Sequence, residues 1–248
     1  MDKTIGQSYN PLLNSQDWDI LIVLDACRFD IFEKINKIKG KLRKRISFSS
    51  CTGEWIQSVR GEDLSRIVYF SANPLISKQR LIPEKLDIKF KEFFDVWDKG
   101  WDDTLKSVPP KAVVNAVINY RNRSTAGKLV AHFIQLHPPF IGDTKINELG
   151  YEQIRLREKG EDISNKVFEK LTVYQQVKDG KISYEHCMKG YEDNLKLVLD
   201  SLTPILKLPG RKVITADHGD CFGEDGVFAH PAESRHPLLV HVPWFEVL

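Results

Sequence analysis

Short apolar runs recur along the whole chain at the length of a β-strand. They predict strands where apolar and β-branched residues cluster between turn residues: 20–24, 46–49, 67–71, 129–134, 213–215 and 238–242, with a further short candidate at 94–97. Apolar residues at helical spacing lie between most of these runs. The predicted helices span residues 29–38, 53–59, 111–120 and 184–206, and Pro204 should end or kink the last of them.

This alternation predicts the fold class. Strands that alternate with helices form a mostly parallel, doubly wound sheet with helices on both faces, in a three-layer α/β/α arrangement. We expect residues 1–248 to form a single domain, with the polar residues 1–19 wrapped around its outside. The polar and charged stretch 142–181 interrupts the alternation and is predicted to be an insertion or lid over the site.

Three of the predicted strands end at residues that bind metals or carry protons. Asp25 ends the first strand, His137 follows the run 129–134 just before two prolines, and Asp217-His218-Gly219 follows the run 213–215. Open α/β sheets place their chemistry at such strand ends. Aspartate and histidine are ligands for a divalent cation, and Gly219 permits a tight turn. Asp-His-Gly alone also occurs as an ordinary turn, but together with Asp25 it predicts a shared metal site.

Hydroxyl and thiol groups lie just before the predicted helix 53–59, at Ser50, Cys51 and Thr52. The exposed amides at a helix start favour an anionic substrate group. Thr52 is also a suitable N-cap, and the spacing alone favours that role.

Composition and charge narrow the class of protein. The 248 residues are 42% hydrophobic and 28% charged, as in an ordinary globular protein. The net charge of +2 argues against a protein built to coat nucleic acid. A basic run at 34–45 is interpreted as a solvated helix face and turn, with an anionic membrane or polyanionic substrate surface as the alternative.

The cysteines and the N-terminus predict the compartment. The four cysteines form no Cys-x-x-Cys pair, which argues against a zinc ribbon or a disulfide scaffold. Residues 1–18 lack the apolar segment of a signal peptide, and no run approaches the roughly 20 apolar residues of a transmembrane helix. We therefore expect a reduced cytoplasmic protein with no transmembrane segment.

Four motifs together resemble the sulfatase-like branch of the alkaline phosphatase superfamily. They are LDACRFD at 24–30, SCTGEW at 50–55, HFIQLHPPF at 132–140 and TADHGD at 215–220, the last followed by Phe-Gly-Glu at 222–224 and His-Pro at 230–231. The final VPWFEV at 242–247 is similar to the ending of archaeal-type members. The resemblance covers nearly the whole chain in order, and it implies the α/β/α fold of that superfamily.

The resemblance also implies roles for individual residues. Asp25, Asp217 and His218 would bind a divalent cation (zinc, manganese, magnesium or calcium, as one or two ions) with Thr52 as a further ligand and the nucleophile. His137 and His230 match histidines that hold the substrate phosphate or a second metal in related phosphoethanolamine and glycerol-phosphate transferases. His230 would also protonate the leaving group.

The nucleophile turn departs from the sulfatase pattern. Sulfatases carry Cys-x-Pro-x-Arg, with the cysteine converted to formylglycine, whereas Cys51-Thr52-Gly53-Glu54-Trp55 lacks both proline and arginine. The related transferases and phosphodiesterases use threonine, so the resemblance favours Thr52 over Cys51 as the nucleophile, with Ser50 third.

The predicted function is that of a metal-dependent hydrolase or transferase acting on a phosphate ester, as a phosphatase, phosphodiesterase or head-group transferase. Its partner would be an anionic ester, lipid- or glycan-linked in one interpretation. The alternatives are a sulfatase with a modified Cys51 and a non-catalytic relic that binds an anionic ligand or partner.

Four further residues are expected to be structural. Arg28 and Asp30 should form an ion pair. Glu224 should brace its loop by accepting backbone hydrogen bonds. His132, inside an apolar strand, should be a satisfied core histidine.

Overall fold

The computed structural model describes residues 10–13, 15–81, 86–148, 150–161 and 172–248. Their centre is a seven-stranded sheet in the order β2-β9-β6-β1-β5-β3-β4, and a two-stranded hairpin, β7-β8, lies outside it. The strands are β1 (Ile20–Asp25), β2 (Gly40–Ile46), β3 (Asp63–Ser71), β4 (Lys89–Asp95), β5 (Lys128–Leu136), β6 (Lys212–Ala216), β7 (Cys221–Phe222), β8 (Phe228–Ala229) and β9 (His241–Val247). β1 pairs in parallel with β5 and β6, and β3 pairs in parallel with β4 and β5. β9 runs antiparallel to its neighbours β2 and β6.

Helices cover both faces of this sheet. They are α1 (Phe29–Ile35), α2 (Thr52–Gln57), α3 (Lys78–Leu81), α4 (Val96–Lys99), α5 (Pro110–Arg121), α6 (Gly150–Glu158), α7 (Val173–Lys178), α8 (Tyr184–Ser201), α9 (Thr203–Leu206) and α10 (Pro237–Val240). Within the described ranges no helix is both long and apolar enough to cross a membrane.

The central strand β1 explains why the fold has three layers. Ile20, Ile22 and Leu24 belong to one hydrophobic core, which contains side chains of α1, α5 and α8. Leu21 and Val23 point to the opposite face, into a second core with Trp55 of α2. Because successive side chains of a strand alternate between faces, a strand buried on both must be apolar throughout. The predicted mostly parallel α/β/α fold is confirmed.

The basic run forms a strand where the sequence predicted a helix face. α1 ends at Ile35 and Asn36 is extended, while Lys41, Arg43 and their neighbours form the edge strand β2. Charged residues suit an edge strand because they discourage pairing with another chain. Leu42, between two cations, packs partly buried against the core with Phe245 as its partner in β9. Its burial accounts for the strand.

The last strand also differs from the prediction for 238–242. Residues 237–240 form α10, and β9 continues through Pro243 to Val247. Pro243 is tolerated because β6 pairs only with residues 244–246 of β9, which leaves the proline beyond that ladder. The predicted break near Pro204 is confirmed, since α8 ends at Ser201 and the short α9 follows. The short strand candidate at 94–97 divides between the end of β4 and α4.

The predicted lid lies partly outside the described residues, which exclude 149 and 162–171. Its described part contains α6 and α7.

Candidate active site

The carboxyl ends of β1, β5 and β6 meet at one edge of the sheet, and the predicted site residues lie there. Asp25 ends β1, and Asp217 follows directly after β6. Thr52 is the first residue of α2 and is buried beside them. The parallel pairing of β1 with β6 places Leu24 opposite Ala216, so Asp25 and Asp217 leave the sheet at the same level.

Backbone groups hold the Asp217 carboxylate in place. Its Oδ1 accepts hydrogen bonds from the N–H groups of Ala26 at 3.1 Å and His218 at 2.9 Å. Its Oδ2 remains for the site and accepts a hydrogen bond from the Thr52 hydroxyl at 3.0 Å. Ser47 and Ser49 donate to the Asp217 carbonyl oxygen at 2.5 and 2.8 Å. The turn after β6 is thus anchored on its backbone while one carboxylate oxygen faces inward.

Gly219 permits the close approach of two loops. A Cβ at this position would lie 1.9 Å from the carbonyl oxygen of Leu238, which no side chain can satisfy. The Gly219 carbonyl lies 2.7 Å from Nδ1 of His218. A carbonyl only accepts, so Nδ1 carries the proton and the lone pair of Nε2 faces the site.

Thr52 occupies the centre of this cluster. Its Oγ1 lies 3.0 Å from Oδ2 of Asp217 and 3.2 Å from Nε2 of His218. Ser50 is committed elsewhere, because its hydroxyl lies 3.1 Å from Glu54 Oε2 and 2.8 Å from the Pro231 carbonyl. Cys51 is half-buried, and burial raises the pKa of its thiol, which disfavours the thiolate.

Asp25 has one carboxylate oxygen satisfied and one that is not. Oδ2 accepts from Asn73 Nδ2 at 2.5 Å and from the Tyr151 hydroxyl at 3.4 Å. Oδ1 is buried without a hydrogen-bond partner and lies 3.6 Å from Nε2 of His218. Burial, and then the charge of Asp217, raise the pKa of Asp25 well above its ordinary value.

His132 belongs to this site, and its prediction as a satisfied core histidine is wrong. Tyr69 lies 2.6 Å from Nδ1, but Nε2 is buried without a partner, 3.8 Å from Oδ2 of Asp217. One ligand atom each from Asp25, His132 and Asp217 lie within 4.8 Å of one another. This position could not be predicted from the sequence, because an apolar strand gives no sign of which buried side chain faces a polar cavity.

These residues fit a divalent cation. Asp25 and Asp217 are buried carboxylates, and burial raises both pKa values. Burial also lowers the pKa of His132 to about 4 and of His218 to about 3, so both imidazoles are neutral near pH 7. When the two buried carboxylates are ionised, the neutral imidazoles beside them do not compensate their negative charge. In the same cluster, Oδ1 of Asp25 and Nε2 of His132 are buried without hydrogen-bond partners. Carboxylate oxygen with imidazole nitrogen is a donor set typical of zinc or manganese.

His137 and His230 form the other side of the cavity. Their ring centroids are 5.1 Å apart, and the ring of His230 is 4.6 Å from that of His218. His137 Nδ1 donates to the Pro138 carbonyl at 2.8 Å, and His230 Nδ1 lies 3.2 Å from Oδ1 of Asp220. Each ring thus has its Nε2 left for a ligand. Burial lowers the pKa of His137. Burial also disfavours the charged form of His230, but the hydrogen bond and the charge of Asp220 outweigh that effect and raise the pKa of His230.

Two tyrosines from the predicted lid also reach the site. The hydroxyl of Tyr151 in α6 donates a hydrogen bond to Asp25, and the Tyr151 ring lies edge-on to His137, with ring centroids 4.5 Å apart. Tyr174 of α7 donates to Asp220 at 2.6 Å. No role was predicted for either tyrosine, nor for Asn73 or Asp220. Asp220 at least lies within the Asp-His-Gly-Asp motif, whereas the tyrosines are in a polar stretch without a motif.

The predicted ion pair is confirmed. Arg28 contacts Asp30 at 2.7 Å and also Glu224 at 2.5 Å. Glu224 accepts from the N–H of Phe222 at 2.6 Å, so it braces its loop as predicted.

No protein-family model and no curated protein sequence matches this chain. Its fold is nevertheless shared with solved structures. The lipooligosaccharide phosphoethanolamine transferase EptA from Neisseria meningitidis is an integral membrane protein with 11% identity and a TM-score of 0.59; the match covers 92% of this chain and 47% of that one. For the soluble domain of EptA the identity, TM-score and coverage of this chain are the same, and 75% of that domain is covered. The chain thus spans about half of the full-length transferase.

Two further structures broaden the comparison. The C-terminal periplasmic domain of EptC from Escherichia coli, in complex with Zn, has 10% identity and a TM-score of 0.52, with 92% of this chain and 71% of that one covered. A 2-O GAG sulfatase has 11% identity and a TM-score of 0.55, with 92% and 63% covered. The fold is that of alkaline phosphatase/sulfatase-like domains.

The predicted cytoplasmic location is wrong. The comparisons overturn it, because the structures that share the fold include periplasmic domains of phosphoethanolamine transferases. The prediction failed because widely spaced cysteines report only that no disulfide is required, and an exported domain of this size can be stable without one.

Proposed function

We propose that this chain is a metal-dependent hydrolase or transferase that acts on a phosphate ester through Thr52. The observation that carries the proposal is the position of the Thr52 hydroxyl, 3.0 Å from a carboxylate oxygen of Asp217 and 3.2 Å from Nε2 of His218. Among the three candidate nucleophiles in the turn, Thr52 is the one whose reactive atom contacts these groups.

Asp25, Asp217 and His218 would hold the cation, with Thr52 Oγ1 and Nε2 of His132 beside it. A bound divalent cation lowers the pKa of a coordinated hydroxyl and offsets charge on the transferred group. The proteins that share this fold include one described as a complex with Zn. Zinc is therefore the first metal to test.

The chain's own residues prepare the nucleophile. Asp217 Oδ2 accepts the Thr52 hydroxyl proton in a hydrogen bond, so the oxygen lone pairs face away from that carboxylate. The two N–H groups on Asp217 Oδ1 keep the carboxylate from rotating. Thr52 thus needs little reorganisation before it attacks phosphorus.

The reaction then proceeds in two displacements. A bond forms between Thr52 Oγ1 and phosphorus, and the hydroxyl proton passes to Oδ2 of Asp217, which already accepts it in a hydrogen bond. The bond from phosphorus to the leaving oxygen breaks, and His230 gives that oxygen its proton. His137 Nε2 lies on the same side of the cavity and would bind a phosphate oxygen. Water completes a hydrolase cycle by attacking the phosphothreonine, and an alcohol completes a transferase cycle.

The substrate we propose is an anionic ester on a lipid or a glycan, met outside the cytoplasm. This proposal is supported by the proteins that share the fold, which include a lipooligosaccharide phosphoethanolamine transferase and a GAG sulfatase.

The test is a panel of aryl phosphate monoesters, phosphodiesters and sulfate esters, each with zinc, manganese, magnesium or calcium. We expect Thr52→Ala to lower kcat by about 10³-fold or more, because a covalent step is lost. Asp217→Asn should abolish turnover by removing a ligand charge. Cys51→Ala is the matched control in the same turn and should keep most of the activity.

Three results would decide against the proposal. Loss of activity in Cys51→Ala but not in Thr52→Ala would show that Thr52 is not the nucleophile. Turnover of sulfate esters together with a modified Cys51 in the intact mass would support a sulfatase. Protein that retains no metal after incubation with each of the four ions would support a non-catalytic relic.

A further inference from the structure

Tyr174 is joined to His230 through one buried carboxylate. The Tyr174 hydroxyl donates to Oδ2 of Asp220 at 2.6 Å, and Oδ1 of the same carboxylate lies 3.2 Å from Nδ1 of His230. Asp220 is fully buried, and its Oδ1 also accepts from the N–H of Cys221 at 3.1 Å. The carboxylate therefore has a partner on each oxygen and a single orientation in which Oδ1 faces His230.

The Tyr174 ring is held independently of its hydroxyl. It is stacked on Phe222, with centroids 5.6 Å apart and planes inclined by 17°. It lies edge-on to His230, with centroids 6.3 Å apart. Burial, and then the charge of Asp220, raise the pKa of Tyr174 well above its ordinary value, so the hydroxyl keeps its proton. A carboxylate accepts only, so this hydroxyl is the donor.

We infer that Tyr174 is a positioning residue for the proposed reaction: through Asp220 it holds the His230 ring so that Nε2 delivers a proton to the leaving oxygen. The inference rests on the proposed function. A histidine ring rotates readily about χ2, and an acid must lie within hydrogen-bond reach of the atom it protonates. Without the Tyr174 hydroxyl, Oδ2 of Asp220 would be left buried and unsatisfied, and the carboxylate would turn to share its remaining donors.

The test uses leaving groups of different basicity. Phenoxide needs a proton when it departs, whereas 4-nitrophenoxide needs one far less. Tyr174→Phe keeps the stacking on Phe222 and removes only the hydroxyl. We expect kcat/KM to fall about tenfold for the phenyl ester, the effect of losing one charge-assisted hydrogen bond, and less than about twofold for the 4-nitrophenyl ester.

The matched control is Tyr184→Phe. Tyr184 also donates to a carboxylate, Glu224, at 2.8 Å, but it lies exposed at the start of α8. This variant should leave both esters unaffected. His230→Gln should show the same selective loss as Tyr174→Phe, and the double variant should lose no more than His230→Gln alone. Equal losses on both esters, or additive losses in the double variant, would overturn the inference.

A second readout does not depend on turnover. In ¹⁵N-histidine NMR spectra, Tyr174→Phe should shift the Nδ1 resonance of His230, and Asp220→Asn should shift it further, while Tyr184→Phe should not. Thermal unfolding verifies that each variant is folded. If the wild type turns over none of the esters, the proposed function fails, and an unchanged His230 resonance in Tyr174→Phe would separately overturn the positioning role.

Discussion

Burial decides the charge of each ionisable side chain at the strand ends. Asp25 and Asp217 are removed from water, which raises the pKa of both carboxyls. His132 and His218 are equally buried, and their pKa values fall. The same physical cause acts in opposite directions because burial always disfavours the charged form. A divalent cation bound here would favour the charged form of both carboxylates, and it would meet imidazoles that are already neutral.

At the scale of the residue, His132 provides a prediction. His132→Phe keeps a ring in the core but removes Nε2, which faces Asp217 at 3.8 Å. We expect zinc or manganese to bind about 10- to 100-fold more weakly, the usual cost of losing a group that supports a metal site. Isothermal titration calorimetry of the metal-free protein measures this change.

A control variant distinguishes the contribution of Nε2 of His132 from that of Nδ1. Tyr69→Phe removes only the partner of Nδ1, 2.6 Å away, and leaves Nε2 in place. A larger effect of Tyr69→Phe than of His132→Phe would mean that His132 acts only as part of the core.

At the scale of the element, Glu148 joins the two helices beside the site. Its Oε2 accepts from the N–H of Val173, the first residue of α7, at 2.9 Å, and Glu148 lies just before α6. Burial outweighs that hydrogen bond and raises the pKa of Glu148 from 4.5 to about 7. The connection between the helices therefore depends on a carboxyl that titrates near neutral pH.

This predicts the sign of a pH effect. Folding raises the pKa of this carboxyl, so its contribution to the free energy of unfolding is fully present below pH 4.5, where it is protonated in both the folded and the unfolded state. That stabilising contribution is lost as pH rises from 4.5 to about 7. The loss is on the order of 3 kcal/mol. We expect Glu148→Gln to remove it, so the variant should gain stability relative to the wild type between pH 5 and about pH 8.

Urea unfolding across this pH range measures the difference. Glu33→Gln, which changes an exposed glutamate of α1, is the control and should follow the wild type. A wild type and a Glu148→Gln variant with parallel pH profiles would contradict the assignment.

At the scale of the whole molecule, the sheet brings together residues from the two ends of the chain. Asp25 ends the first strand and Asp217 follows the sixth, and the parallel pairing of β1 with β6 places them side by side. A ligand that both carboxylates bind ties these strands together in the folded state only. Such a ligand stabilises the fold by mass action, by about 2.7 kcal/mol at 100 times its Kd.

We therefore expect zinc or manganese to raise Tm and EDTA to lower it. Asp25→Asn should lose this response, and its metal-free form should be at least as stable as the metal-free wild type because one buried charge is gone. Scanning calorimetry with and without metal tests both. An equal rise of Tm in the wild type and in Asp25→Asn would place the metal elsewhere.

The elements that the sequence predicted well are those with both faces or one long face buried. The apolar patterns of β1, β5 and α8 are each compatible with only one type of secondary structure. All three elements lie close to their predicted positions. β2 was missed because an edge strand carries few apolar residues, and its cations Lys41, Arg43 and Arg45 are equally compatible with a solvated helix. Its partner β9 decides the matter, and β9 lies at the far end of the sequence.

The sequence by itself determined the α/β/α class and the strand-end positions of Asp25, His137 and Asp217-His218, because periodicity and turn residues act locally. Only the tertiary structure decided that His132 faces Asp217, that Ser50 is committed to Glu54, and that Tyr151 and Tyr174 reach the site. The physical reason is that a side chain's partners across the sheet come from distant parts of the chain. Burial, which sets the pKa values here, exists only after those parts have come together.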